Sequence, residues 1–182
     1  MPQDALGGAL LAHARAAIAT RLGLICAAPP DHPQLDAPGA SFVTLMRHGE
    51  LRGCIGTLEA YRSLREDVRE NACAAAFRDR RFEPLTADEF ADTRVEVSLL
   101  ETPQTLRVAG EADLLQQLRA GQDGLILNYR GQRATFLPQV WESLPQAQDF
   151  LRHLKRKAGL AENFWSADMQ FARYRVAKWK DA

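Results

Sequence analysis

The chain has no apolar run near the roughly 20 residues that a membrane-crossing helix needs, so no such helix is expected. It is also poor in the residues that bind metals or form disulfides, with three cysteines (Cys26, Cys54, Cys73) and four histidines (His13, His32, His48, His153) in 182 residues. The cysteines lie 28 and 19 positions apart; an odd count with no close pair argues against a disulfide framework, and reduced thiols are expected. The histidines are scattered and no H-E-x-x-H occurs, so no metal site is expected. Neither a P-loop nor a G-x-G-x-x-G before a helix is present, and a G-x-S-x-G elbow is missing. No cofactor is expected. Charge of one sign is not in excess either, because 23 basic residues balance 23 acidic ones, and this removes any global argument for nucleic acid or an anionic membrane as partner. The amino-terminal stretch has no basic region before its apolar residues and carries Asp4. That is not the pattern of a secretory signal, and a cytoplasmic protein is expected.

What is present is an ordinary globular composition, 46% hydrophobic and 25% charged, in a length that suits one core with room for a small subdomain. Leu6, Leu10, Ala14, Ala17, Ile18 and Leu22 recur at helical steps and predict a helix over 4–24. Five residues that break regular structure, Pro29, Pro30, Pro33, Pro38 and Gly39, make 27–40 a loop. Ser63 with Glu66, and Thr86 with Glu89, have capping-box spacing and open helices, the first running to about Phe77. Cys73 falls among alanines on that helix and is read as a packing residue. Alternation predicts strands over 93–100 and 169–179, with a further hairpin around Arg130 and Gly131. Helices are expected over 110–118, 138–143 and 146–157, and the basic run Arg152–Lys157 reads as a solvated face behind Phe150, Leu151 and Leu154. Strands in hairpins with helices between them predict an α+β fold with a largely antiparallel sheet.

The densest chemistry lies in Leu51–Leu58, LRGCIGTL. A strand over 42–48 and a turn at Gly49 and Glu50 lead into it. Gly53 and Gly56 flank Cys54; glycine within a strand marks a bulge or a place where a ligand or another backbone comes close. A thiol becomes a nucleophile as its thiolate, which nearby positive charge favours. Arg52, Arg47 and His48 are the local sources of that charge. In one reading Cys54 is the nucleophile, Arg52 an anion anchor, and His48 or Glu83 the proton carrier, with backbone amides of 53–56 holding an oxyanion. In the other, Cys54 is a small residue beside close backbone, and Gly53, Gly56, Thr57, Arg81 and Glu83 line a groove for a small anion, a peptide or a partner protein. Arg81 and Glu83 flank Phe82 in a loop, Asp79–Pro84, that joins two predicted helices.

LRGCIGT resembles the signature of the AMMECR-type domain family, the group that includes protein A of the AmmeMemoRadiSam system. DRRFEPL (79–85), VEVSLL (95–100), GLIL (124–127), ATFLPQV (134–140), RKAGL (156–160) and RYR (173–175) follow in the same order as in that family. The resemblance covers nearly the whole chain and implies one AMMECR-type domain over 1–182. It also implies Memo-like and radical-SAM partners acting on a shared substrate or in a maturation step. On that footing the chain is expected to be either a thiol-dependent enzyme acting on a small or peptide substrate, or a non-catalytic binding or adaptor module.

Overall fold

The computed structural model describes residues 2–182, with side chains from residue 5. Among the described residues no helix is long and apolar enough to cross a membrane. The fold is α+β, with two four-stranded antiparallel sheets and five α-helices among the described residues. The chain divides into two compact units, one formed by the residues up to Leu100 together with Ala177–Ala182, the other by Glu101–Val176.

In the first unit, helix α1 (Pro2–Arg21) and strands β1 (Ala40–Arg47) and β2 (Glu50–Gly56) are followed by α2 (Leu64–Phe77), α3 (Ala87–Ala91) and β3 (Thr93–Leu100). The last strand of the chain, β8 (Val176–Lys180), completes a sheet of order β2-β1-β3-β8. Burial follows the period-2 rule for a sheet with one covered face: Val43, Leu45, Val95 and Val97 are fully buried in one core with Leu10, Ile18, Val68 and Ala72 from α1 and α2. Both capping boxes form, Ser63 with Glu66 and Thr86 with Glu89.

The second unit contains β4 (Gln104–Leu106), α4 (Glu111–Gln117), β5 (Gly124–Tyr129), β6 (Gln132–Phe136), α5 (Ala147–Lys157) and β7 (Gln170–Tyr174), with sheet order β4-β7-β5-β6. Its core gathers Leu125, Leu127 and Phe171 with Leu114, Phe150, Leu151 and Leu154. The Trp141 and Phe150 rings stack with centroids 3.9 Å apart. At the entrance and exit of this unit the Glu101 amide donates to the Arg175 carbonyl at 2.9 Å.

Four expectations are corrected. The first hairpin turns at His48 and Gly49, both at positive φ (52° and 83°), and Arg47 pairs with Glu50. This is the backbone of a type I′ turn, so His48 is a turn residue and Glu50 starts the strand. The alternation over 169–179 belongs to two strands in two sheets, β7 and β8, interrupted at Arg175. Residues 138–142 form a 3₁₀ turn. Within the basic run of α5, Lys155 is fully buried, its ammonium donating to Glu111 at 3.0 Å.

Candidate functional site

Strand β2 is an edge strand, and its sequence suits that place. Leu45 pairs with Gly53 while Met46 pairs with Leu51, which leaves Arg52 as the extra residue of a β-bulge. Beyond the bulge the strand keeps its parity. Gly53 faces α2, where a Cβ would overlap the Ala75 carbonyl oxygen, and Gly56 lies under the Phe42 ring, which a Cβ would enter. The two glycines therefore answer to a helix backbone and an aromatic ring. Cys54 pairs with Thr44, on the opposite face from Gly53.

The unpaired edge of β2 is covered by the loop after α2. The Cys54 amide donates to Asp79 Oδ2 at 2.9 Å, and Arg81 Nη2 reaches the Cys54 carbonyl at 3.4 Å. Asp79 is itself held by Arg81 through Nε (3.0 Å) and Nη2 (2.7 Å). Those Arg81 hydrogen bonds, with the Cys54 amide, keep the buried Asp79 carboxyl far below the usual carboxylate range. Arg52 turns towards α3. Its Nε and Nη2 bind the two Glu89 oxygens at 3.1 and 2.9 Å, and Nη2 also donates to the Glu83 carbonyl at 2.9 Å. Arg47 reaches Glu89 Oε1 at 3.2 Å. The pair of hydrogen bonds from Arg52 brings the Glu89 carboxyl down to about 2. Two guanidinium groups thus share one carboxylate, and Arg47 Nε and Arg52 Nη1 are buried donors without an acceptor among the described residues.

The expected site residues are only partly brought together. Cys54 is half-buried, and its Sγ lies 3.3 Å from Thr44 Oγ1. His48 is away from it in the hairpin turn, lining a cavity of about 830 Å³ with Arg15, Arg94 and Lys180. Thr57 donates to Asp67 Oδ1 at 2.7 Å. Asp67 is fully buried and also accepts from Ser41, Arg62 and Asn71, so the Thr57 hydroxyl serves an internal network. Arg81 is spent on Asp79. Glu83 offers its carbonyl to Arg52, while the residue itself is exposed. Three carboxylates that order these groups, Asp67, Asp79 and Glu89, were not singled out from the sequence; only the cap spacing of Glu89 gave a signal. Among the described residues no group of three or more His, Cys, Asp or Glu could hold a metal ion. Cys73 Sγ points to the Ala17 carbonyl at 3.7 Å, and burial pushes its thiol pKa up, as suits a packing residue.

The fold and the hairpin with its carboxylate clamps define a two-unit α+β protein built around LRGCIGT. A model of the AMMECR1 family matches residues 11–179, and the chain belongs to that family. Protein MJ0810 of Methanocaldococcus jannaschii is 40% identical over 124 residues, 65% of this chain and 60% of that protein. Protein SSO0193 of Saccharolobus solfataricus is 39% identical over 142 residues, 74% of this chain and 62% of that protein. The matched part is thus about three-fifths of the length of these relatives. Among solved structures, the uncharacterised protein PH0010 of Pyrococcus horikoshii superimposes with a TM-score of 0.78 at 30% identity, over 96% of this chain and 91% of its own.

Proposed function

We propose that the protein is a non-catalytic binding or adaptor module that takes a small carboxylate-bearing molecule, or a peptide carboxylate, beside the Leu51–Leu58 hairpin. Its setting is the cytoplasm, and its partners are the Memo-like and radical-SAM proteins that the family resemblance implies. The observation that carries this reading is the charge balance around Glu89. Arg47 and Arg52 place two positive charges against one negative, and a buried donor on each guanidinium has no acceptor among the described residues. Buried charged donors without partners are costly, and an anion that takes both lowers that cost.

A thiol-dependent enzyme would need a base at Cys54. The hydroxyl of Thr44, which stands beside the thiol, does not act as a base near neutral pH. The experiment has two arms on the native protein. Alkylation by iodoacetamide at neutral pH, with the modified cysteine located by mass spectrometry, should modify Cys54 in the native protein no faster than in the urea-unfolded chain. Faster labelling of Cys54 in the native protein would overturn the reading and favour the thiol-dependent enzyme. Titration with acetate should shift the Arg47 and Arg52 Nε–H resonances in a saturable way. If neither moves, the anion site is wrong.

A further inference from the structure

The RYR motif of the second unit plays no part in the site above, and its geometry raises a different question. Arg173, in β7, and Arg175, the residue just after its last position, line one cavity. Between them the Tyr174 hydroxyl is used within the sheet, donating to the Phe136 carbonyl at 3.0 Å and lying 3.0 Å from Thr135 Oγ1. Arg173 pairs across the sheet with Gln104, so these two side chains share a face. Arg119, in the loop after α4, joins them. Together they line a cavity of about 240 Å³ whose lining residues all belong to the second unit.

The three arginines are not in the same state. Arg173 is held in place, its Nη1 donating to the Gln117 carbonyl at 3.1 Å and lying 3.9 Å from the buried Asp123 carboxylate. Asp123 also accepts the Arg119 backbone amide at 2.9 Å, and its carbonyl accepts Trp141 Nε1 at 2.7 Å. Asp123 therefore ties the Arg119 loop to the core. Arg119 and Arg175 are exposed, and their guanidinium groups have no partner among the described residues. Glu101 is the other acid in the lining. The site thus carries three guanidiniums against two carboxylates, one of which is engaged in holding the loop.

We infer that this cavity binds the phosphate group of a small phosphorylated molecule. A phosphate monoester carries nearly two negative charges and three acceptor oxygens, which several guanidinium forks can share. The cavity is larger than a phosphate group, leaving room for part of the ester, and the Gln104 amide offers a neutral donor beside the charged ones. In this arrangement Asp123 is a positioning residue and the two free arginines close on the ligand.

The test uses the full chain with inorganic phosphate as probe, at ionic strength matched with sodium chloride, read by calorimetry and by the arginine Nε–H resonances. Saturable binding is expected, weakened at least fivefold in Arg119→Gln and in Arg175→Gln. Arg130→Gln, at an exposed hairpin turn where Arg130 pairs with Asp168, should bind phosphate as the parent does. The two arginine variants should melt as the parent does without ligand, since neither guanidinium holds a contact that folding needs. Absence of saturable binding would overturn the inference, as would equal weakening in Arg130→Gln. Malonate binding more tightly than phosphate would overturn the phosphate assignment. Arg52→Lys should leave phosphate binding intact, which separates this result from the outcome at Glu89.

Discussion

Asp79 is the side chain that ties the edge of β2 to the loop after α2. Its carboxylate accepts the Cys54 amide and both the backbone and side chain of Arg81, and it is 6% exposed. Asp79→Asn keeps the shape but loses the charge, so the Cys54 amide and the guanidinium keep only weak acceptors. A loss of about 2 kcal/mol in urea unfolding is expected, with faster amide exchange at Cys54. Glu89 adds a pH dependence. Its folded pKa, about 2, is below the unfolded value of about 4.3. The stability it contributes is therefore fully present above the unfolded value and is lost as pH falls through the folded one. Asp79 acts in the same direction. The urea midpoint should drop steeply between about pH 4.3 and 2, and Glu89→Gln should flatten that limb. An unchanged slope would mean that Arg52 and Arg47 do not hold Glu89 in solution.

At the scale of elements, Gly49, before β2, and Gly53, within it, do different work. Gly49 needs its positive φ of 83° but has open space around it, whereas Gly53 is pressed against the α2 backbone. Alanine at position 49 should cost about 1 kcal/mol; at position 53 it forces the strand off the helix and should cost about 3 kcal/mol. Thermal melts of the two variants give the comparison. The sequence made most of these elements legible through strong local signals: the capping boxes at Ser63 and Thr86, the helical stripe of α1, and the alternation of 93–100. It misplaced the first turn by one residue because His48 takes the positive φ that local rules reserve for glycine or asparagine. Strand β4 is three residues long and carries no period to read. The site was harder still, since Arg52 meets Glu89 across 37 positions and Cys54 meets Asp79 across 25. No local pattern announces such pairs, and Arg52 and Arg81 therefore read as groups available to a ligand.

For the whole molecule, each unit has its own sheet and its own apolar core. While the second unit stays folded, damage to its core should remain there. Leu127→Ala removes a fully buried side chain from the second, at a cost of about 2–5 kcal/mol. Native-state hydrogen exchange should show protection falling in β5 and β7 while β1 and β3 keep theirs; a uniform fall would mean that the two cores open together. The alternation over 169–179 hid this division, because a strand pattern does not say which sheet it joins, and the change of sheet takes only Arg175.

The hydrogen bond between the Glu101 amide and the Arg175 carbonyl, 2.9 Å long, brings together the two ends of a long excursion from a sheet in which β3 and β8 are neighbours. Topologically the second unit is a guest inserted between adjacent strands of a host. An unfolded guest leaves the host to close a loop of about 75 residues; a folded guest, with its ends tied, presents a connection only a few residues long. Loop-closure entropy makes that difference about 2–3 kcal/mol in favour of the host. Each unit can thus strengthen the other through chain statistics alone, and whatever holds the guest folded favours the pairing of β3 with β8 in the host.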